Sequence, residues 1–153
     1  MKMTPILAAL AVLLLAGYVY AGNFTDNGNG TVSDSVTGLM WQKCSAGQNN
    51  DSTCSGTSQT YQWQGAFAFC NGLSLAGHSD WRLPNVKELH SIVDDTVSKP
   101  AINTTPFPNT ESSSYWSSTT YASNPSSAWL VGFDAGGVGY YGKTDVGYVR
   151  CVR

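Results

Sequence analysis

The sequence predicts an α+β domain, an antiparallel sheet with two helices packed on it. Three observations carry that reading. Segments of strand character gather toward the two ends of the chain, and the stretch whose apolar residues recur at three and four positions lies between them. That segregation favours α+β over an alternating α/β order. A helix start is written into Pro84-Asn85-Val86-Lys87-Glu88-Leu89. Four cysteines, an even number, suit two disulfides in an exported chain.

The length of 153 residues fits one ordinary domain with a real core. Only 12% of residues are charged and Gly, Ser, Thr and Asn are abundant, as in a loop-rich extracellular protein. A net charge of -2, with the eight Lys and Arg scattered, supplies no basic stripe for nucleic acid. Lys2, the apolar run Ile6 to Ala16 and the triplet Val19-Tyr20-Ala21 have secretory signal architecture, with cleavage expected after Ala21 and the mature domain over residues 22–153. The competing reading is a retained apolar anchor, and a membrane is expected as a partner only in that case.

Taken in order, Asp26-Asn27-Gly28-Asn29-Gly30 between β-prone pieces predicts a hairpin over Phe24 to Asp34. Calcium fails there, because the alternate oxygen ligands and closing Glu of an EF-hand loop are missing. Thr37-Gly38 turns the chain into a buried strand, Leu39 to Gln42, with Trp41 in the core. From Thr60, expected to cap, the residues Trp63, Ala66, Phe67, Cys70 and Leu73 form one apolar helical face. A loop over Gly72 to Ser79 leads to the second helix. Pro84 holds Leu83 extended, Asn85 caps, Glu88 reaches back to the cap amide, and Leu89, Ile92 and Val93 point inward. Pro100, Pro106 and Pro108 exclude helix from the next section, which Phe107 pins to the core. Strands follow at Tyr115 to Thr119, Ala128 to Phe133, Val138 to Tyr141 and Gly147 to Val152.

The cysteines allow three pairings. The polar loop between Cys44 and Cys54 has little apolar content to order it, which makes a local bridge physically sensible and leaves Cys70 with Cys151. No pair has zinc-knuckle spacing, and His78 and His90 lie apart from the cysteines, so no metal and no cofactor are expected. Neither histidine sits in a nucleophile motif, and no catalytic residue is assigned. Arg82 is read as a buried arginine paired with Asp34 or Asp80.

Several of these stretches stand together in a known order: Asp34-Ser35-Val36-Thr37-Gly38-Leu39-Met40-Trp41-Gln42, Asp80-Trp81-Arg82-Leu83-Pro84, Glu88-Leu89, Phe107-Pro108, Tyr115-Trp116-Ser117-Ser118 and Val149-Arg150-Cys151-Val152-Arg153. The sequence thereby resembles the Lcl carboxy-terminal domain family of bacterial secreted and surface proteins. The resemblance implies a C-type-lectin-like fold related to the formylglycine-generating enzymes, a first helix bridged to the final strand, and kinship with the tip of a glycosaminoglycan-binding, collagen-like adhesin. Two departures matter. The chain has no collagen repeat and is slightly acidic, which removes the electrostatic basis for sulfated polysaccharide. The sugar-calcium motifs of true C-type lectins are also absent, and the cysteines assigned to disulfides carry no oxidase chemistry.

The expected function is a secreted or surface-displayed adhesion module that binds an extracellular glycan or protein. The alternatives are a filament-forming or membrane-tethered structural subunit, a homo-oligomer in that case, and an oxidase-like enzyme. The expected ligand-binding residues are Trp116, Tyr121, Asn124, Trp129, Tyr140, Tyr141, Lys143 and Asp145, which fall where a lectin-like fold forms its ligand face. Aromatic rings give rigid contact area there, and Ser and Asn give adaptable hydrogen bonds. Strand patterning weighs Trp116 and Trp129 toward core, and adjacency places Tyr140 and Tyr141 on opposite faces of one strand.

Overall fold

A computed structural model describes residues 24–153. The segment read as signal peptide or anchor, residues 1–21, lies outside the described residues. Three small antiparallel sheets and two helices make up the fold. β1 (Phe24–Asp26), β2 (Thr31–Asp34) and β3 (Met40–Gln42) form the first sheet. The hairpin turns on Gly28 and Gly30, both at positive φ, with the Asp26 carboxylate accepting the Gly28 amide at 2.9 Å.

β4 (Tyr61–Gln62) runs directly into α1 (Trp63–Asn71). The expected cap at Thr60 is not used. Tyr61 and Gln62 pair with Gly147 and Val146 of β8 (Val146–Gly147), so the helix starts beyond them, at Trp63, with Gln62 in the cap position and no side-chain cap bond. Cys70 and Ala66 are its buried residues, and Leu73 falls beyond its end. α2 (Val86–His90) is short, but its start is as the sequence predicts: the Asn85 side chain accepts the Glu88 amide at 2.9 Å and Glu88 accepts the Asn85 amide at 2.8 Å.

β5 (Ser114–Thr120), β6 (Ser127–Gly132) and β7 (Gly137–Gly142) form the third sheet, in that order. Alternation along β5 and β6 divides the core in two. Trp116, Ala128 and Leu130 pack with α1, Trp81 and Leu83 on one side, whereas Tyr115, Val131 and Phe133 pack with Leu89, Ile92, Phe107 and Trp41 on the other.

The last segment is not the continuous strand expected from Gly147 to Val152. After β8 it touches a different neighbour at nearly every residue. Tyr148 bridges in parallel to Tyr115, the Val149 carbonyl accepts the Ala46 amide at 2.9 Å, and Val152 bridges to both Trp41 and Arg82. The carboxy-terminal segment thus ties all three sheets together. The physical reason is that it lies inside, where no one partner strand is long enough to pair with all of it.

Both disulfides form as expected. Cys44–Cys54 closes the polar loop, which Asp51 also orders by accepting the Thr53 and Ser55 amides. Cys70–Cys151 ties α1 to the carboxy-terminal segment. No cysteine is free. Among the described residues no helix is long and apolar enough to cross a membrane.

Arg82 departs from expectation. It lies at the surface, and its partner is Glu88, reached by two hydrogen bonds of 2.8 Å, while Asp80 pairs with Arg153 and Asp34 accepts amides of its own turn. The buried arginine is Arg150, fully enclosed between the rings of Phe107 and Tyr115, with its guanidinium 4.8 and 5.7 Å from their centroids. It donates to Thr110 Oγ1 at 2.9 Å, and burial pushes its pKa down. Cation–π contact and the hydroxyl stand where a buried guanidinium normally finds a carboxylate, and among the described residues Nε and Nη1 have no hydrogen-bond partner.

Candidate functional site

The aromatic surface is built on β6 and β7. Trp129 and Tyr140 are register partners, so their rings leave the sheet on the same face, and Tyr121 at the end of β5 swings onto them. Tyr121 and Tyr140 stack with centroids 4.2 Å apart and planes 19° from parallel, and Trp129 meets both edge-on at 5.0 and 5.9 Å. Ring quadrupoles favour this mixture of offset and edge contacts. Tyr140 is 51% exposed, while Tyr121 and Trp129 are half-buried. Trp129 is therefore not fully buried as core: the cluster on this face of the sheet takes in Val131 and Phe133 and does not include it.

The opposite face gathers a second group. Trp116 is fully buried, donates its indole N–H to the Tyr61 carbonyl at 2.8 Å and lies under Gly147, where a Cβ would come within 3.0 Å of its Nε1. Its place in the core withdraws it from any surface contact in this conformation. Tyr141 stands edge-on to it at 6.4 Å and keeps an exposed ring. Lys143 sits over the Trp63 ring at 3.9 Å and donates to Thr120 Oγ1 at 2.9 Å, so its cation is fixed in place.

Asn124 is exposed at the tip of the β5–β6 loop, where its side chain is occupied with the turn. It accepts the Ser126 amide at 3.2 Å and donates to Ser127 Oγ at 3.3 Å. Asp145 is exposed in the turn after β7. The structure thus joins Tyr121, Trp129 and Tyr140 in one cluster, sets Tyr141 and Lys143 on the other face, and leaves Asn124 and Asp145 at separate loop tips.

Sequence reasoning gave Trp63 to the helix core alone. Its backbone amide bonds the Lys143 carbonyl at 3.2 Å, which brings the ring under the lysine. No local signal marks that pairing, because it arises from β4 meeting β8.

Fold and surface define a disulfide-closed α+β module whose exposed chemistry is aromatic and weakly charged. The chain matches the model of the Lcl C-terminal domain over residues 30–153 and belongs to that family. No curated protein matches it.

Proposed function

We propose that this domain is a secreted or surface-displayed recognition module that binds an extracellular glycan or protein through the Tyr121–Trp129–Tyr140 cluster. The observation that carries the reading is the cluster itself: three rings already stacked at the rim of a sheet, one of them half exposed. Such rings lose little entropy on binding, and their faces suit the C–H face of a sugar ring or an aliphatic side chain. The adjoining loop of Tyr121 to Ser127 supplies the exposed hydroxyls of Ser123 and Ser126.

A C-type-lectin-like architecture, which the family resemblance implies, would support this placement. The helix-to-terminus bridge Cys70–Cys151 is what such a fold would show, and its ligand face would lie in the carboxy-terminal third. Recognition rather than oxidase-type catalysis is favoured because both disulfides consume all four thiols. The same disulfides require an oxidising compartment, in keeping with export.

The test is a glycan array and a matrix-protein binding panel, run on the chain and on its Tyr140→Ala and Trp129→Ala variants. Loss of roughly tenfold in affinity, about 1.4 kcal/mol, is expected for each, since truncating an aromatic residue that carries binding costs more than about 1 kcal/mol. Binding that survives both substitutions unchanged would place the ligand elsewhere.

A further inference from the structure

The third sheet ends on an open edge. Its order is β5-β6-β7, and among the described residues no strand pairs with the outer side of β7. The phase of the β6–β7 ladder follows from one bond outside it, Lys143 N–H to the Ser126 carbonyl at 2.8 Å. Bonded pairs then fall at every second register position, so Gly137, Gly139 and Tyr141 turn their amides and carbonyls to β6. Val138, Tyr140 and Gly142 direct theirs outward, and the Gly142 carbonyl accepts the Asp145 amide at 2.9 Å.

Natural sheets defend such edges with charges, prolines, bulges or very short strands. β7 carries no charged residue and no proline, and its pairing with β6 runs without a register shift over all six residues. Val138, Tyr140 and Tyr141 are 47%, 51% and 45% exposed along it. β1, at the edge of the first sheet, is the defended kind, three residues long with Asp26 held by Lys43 at 2.7 Å.

We propose that β7 is a self-docking edge: two copies of the chain pair β7 with β7 antiparallel about a twofold axis, joining their three-stranded sheets into one of six strands. The sequence of β7 is complementary to itself in one register. Val138 of each copy lies opposite Tyr140 of the other, in two bonded pairs that use the outward amide and carbonyl of both residues in each strand. Gly139 then faces Gly139 on the axis, and Tyr141 lies across from Gly137, where no side chain obstructs its ring. No two aromatic residues therefore oppose one another, and aromatic–β-branched pairs such as Val138 with Tyr140 are among the favourable cross-strand contacts. The two Tyr121–Trp129–Tyr140 clusters would stand on the same face of the joined sheet, although the pairing does not depend on what those clusters bind.

Sedimentation velocity of the full chain from micromolar to millimolar concentration, with amide hydrogen exchange at both extremes, tests this. The mass is expected to rise from one chain to two, with the Val138 and Tyr140 amides slowing as concentration increases. Val138→Lys and Val138→Pro are each expected to weaken association roughly tenfold or more, about 1.4 kcal/mol at tenfold. The proline removes only an outward N–H, so the β6–β7 ladder is retained. Val36→Lys, at a turn residue 63% exposed, is expected to leave association unchanged. A single-chain mass throughout overturns the proposal. So does a dimer that survives both Val138 variants, or protection of those amides only when an unrelated protein or peptide is added.

Discussion

Glu88 does two jobs at the start of α2, and substitutions there separate them. Its carboxylate accepts the Asn85 amide and also takes both Nη groups of Arg82 at 2.8 Å. Glu88→Ala removes both. The lost capping bond costs about 1 kcal/mol. The ion pair adds about 0.5 kcal/mol, because the Arg82 side chain is 45% exposed and solvent screens the charges. Alanine's better helix propensity returns about 0.3 kcal/mol. The net expectation is about 1–1.5 kcal/mol, equivalent to ~3–5 °C in melting temperature for a domain of this size.

Glu88→Gln keeps an amide oxygen for the cap and loses only the charge, so its expected cost is about 0.5 kcal/mol. The pH dependence follows from the same geometry. The Arg82 hydrogen bonds, with help from the Asn85 amide, hold the Glu88 carboxyl below its ordinary 4.5, against the opposing effect of burial. A carboxyl with a depressed folded-state pKa stabilises fully above its unfolded value, and that contribution is lost as pH falls through the folded value. The wild-type chain is therefore expected to lose its advantage over Glu88→Gln progressively below about pH 4.5, the ordinary value of the free side chain. Urea unfolding at pH 7 and at stepped acidic pH, with disulfides intact, measures all three chains. Equal costs for Ala and Gln would refute the capping argument, and a pH-independent gap between wild type and Gln would refute the ion pair.

Other outcomes follow from single features. Removing Cys70–Cys151, which spans 81 residues, is expected to cost about 4.5 kcal/mol against about 2.8 kcal/mol for Cys44–Cys54, which spans 10, in the chain-entropy account; the order of the urea midpoints of the paired alanine variants checks it. Gly47→Ala is expected to destabilise by roughly 1–3 kcal/mol, because φ is 92° and a Cβ would lie 2.8 Å from the Gln59 amide nitrogen; thermal unfolding reads it directly. Phe107→Ala opens the core and strips the guanidinium of Arg150 of its nearest ring, an expected loss of about 3–5 kcal/mol visible by calorimetry or as failure to fold.

The parts legible in the sequence are those whose causes lie within a few residues. The Asn85–Glu88 box, the turn at Gly28 and Gly30, and the period of Ala66 and Cys70 are set by local geometry. The Cys44–Cys54 bridge belongs with them, being ordered by a short polar loop. Thr60 failed as a cap because a long-range pairing of Tyr61 with Gly147 claimed the residues after it. Arg82 and Arg150 look equally eligible for burial in the sequence. Which of them is enclosed depends on where Phe107 and Tyr115 meet, and no spacing encodes that.

The candidate site divides in the same way. Adjacency alone places Tyr140 and Tyr141 on opposite faces, and the aromatic content of the carboxy-terminal third is plain from composition. The grouping of Tyr121 with Trp129 and Tyr140, the withdrawal of Trp116 into the core and the seating of Lys143 over Trp63 required the register of β6 on β7 and of β4 on β8. The sequence by itself determined the α+β class, the family, both disulfides and the start of α2, because short-range sterics, capping and cysteine arithmetic act without knowledge of the rest of the chain. Only the tertiary structure decided which arginine is buried, how the last segment ties three sheets together, and which rings share a surface. Those outcomes depend on contacts between residues far apart in sequence, whose free energy exists only once the intervening chain has folded.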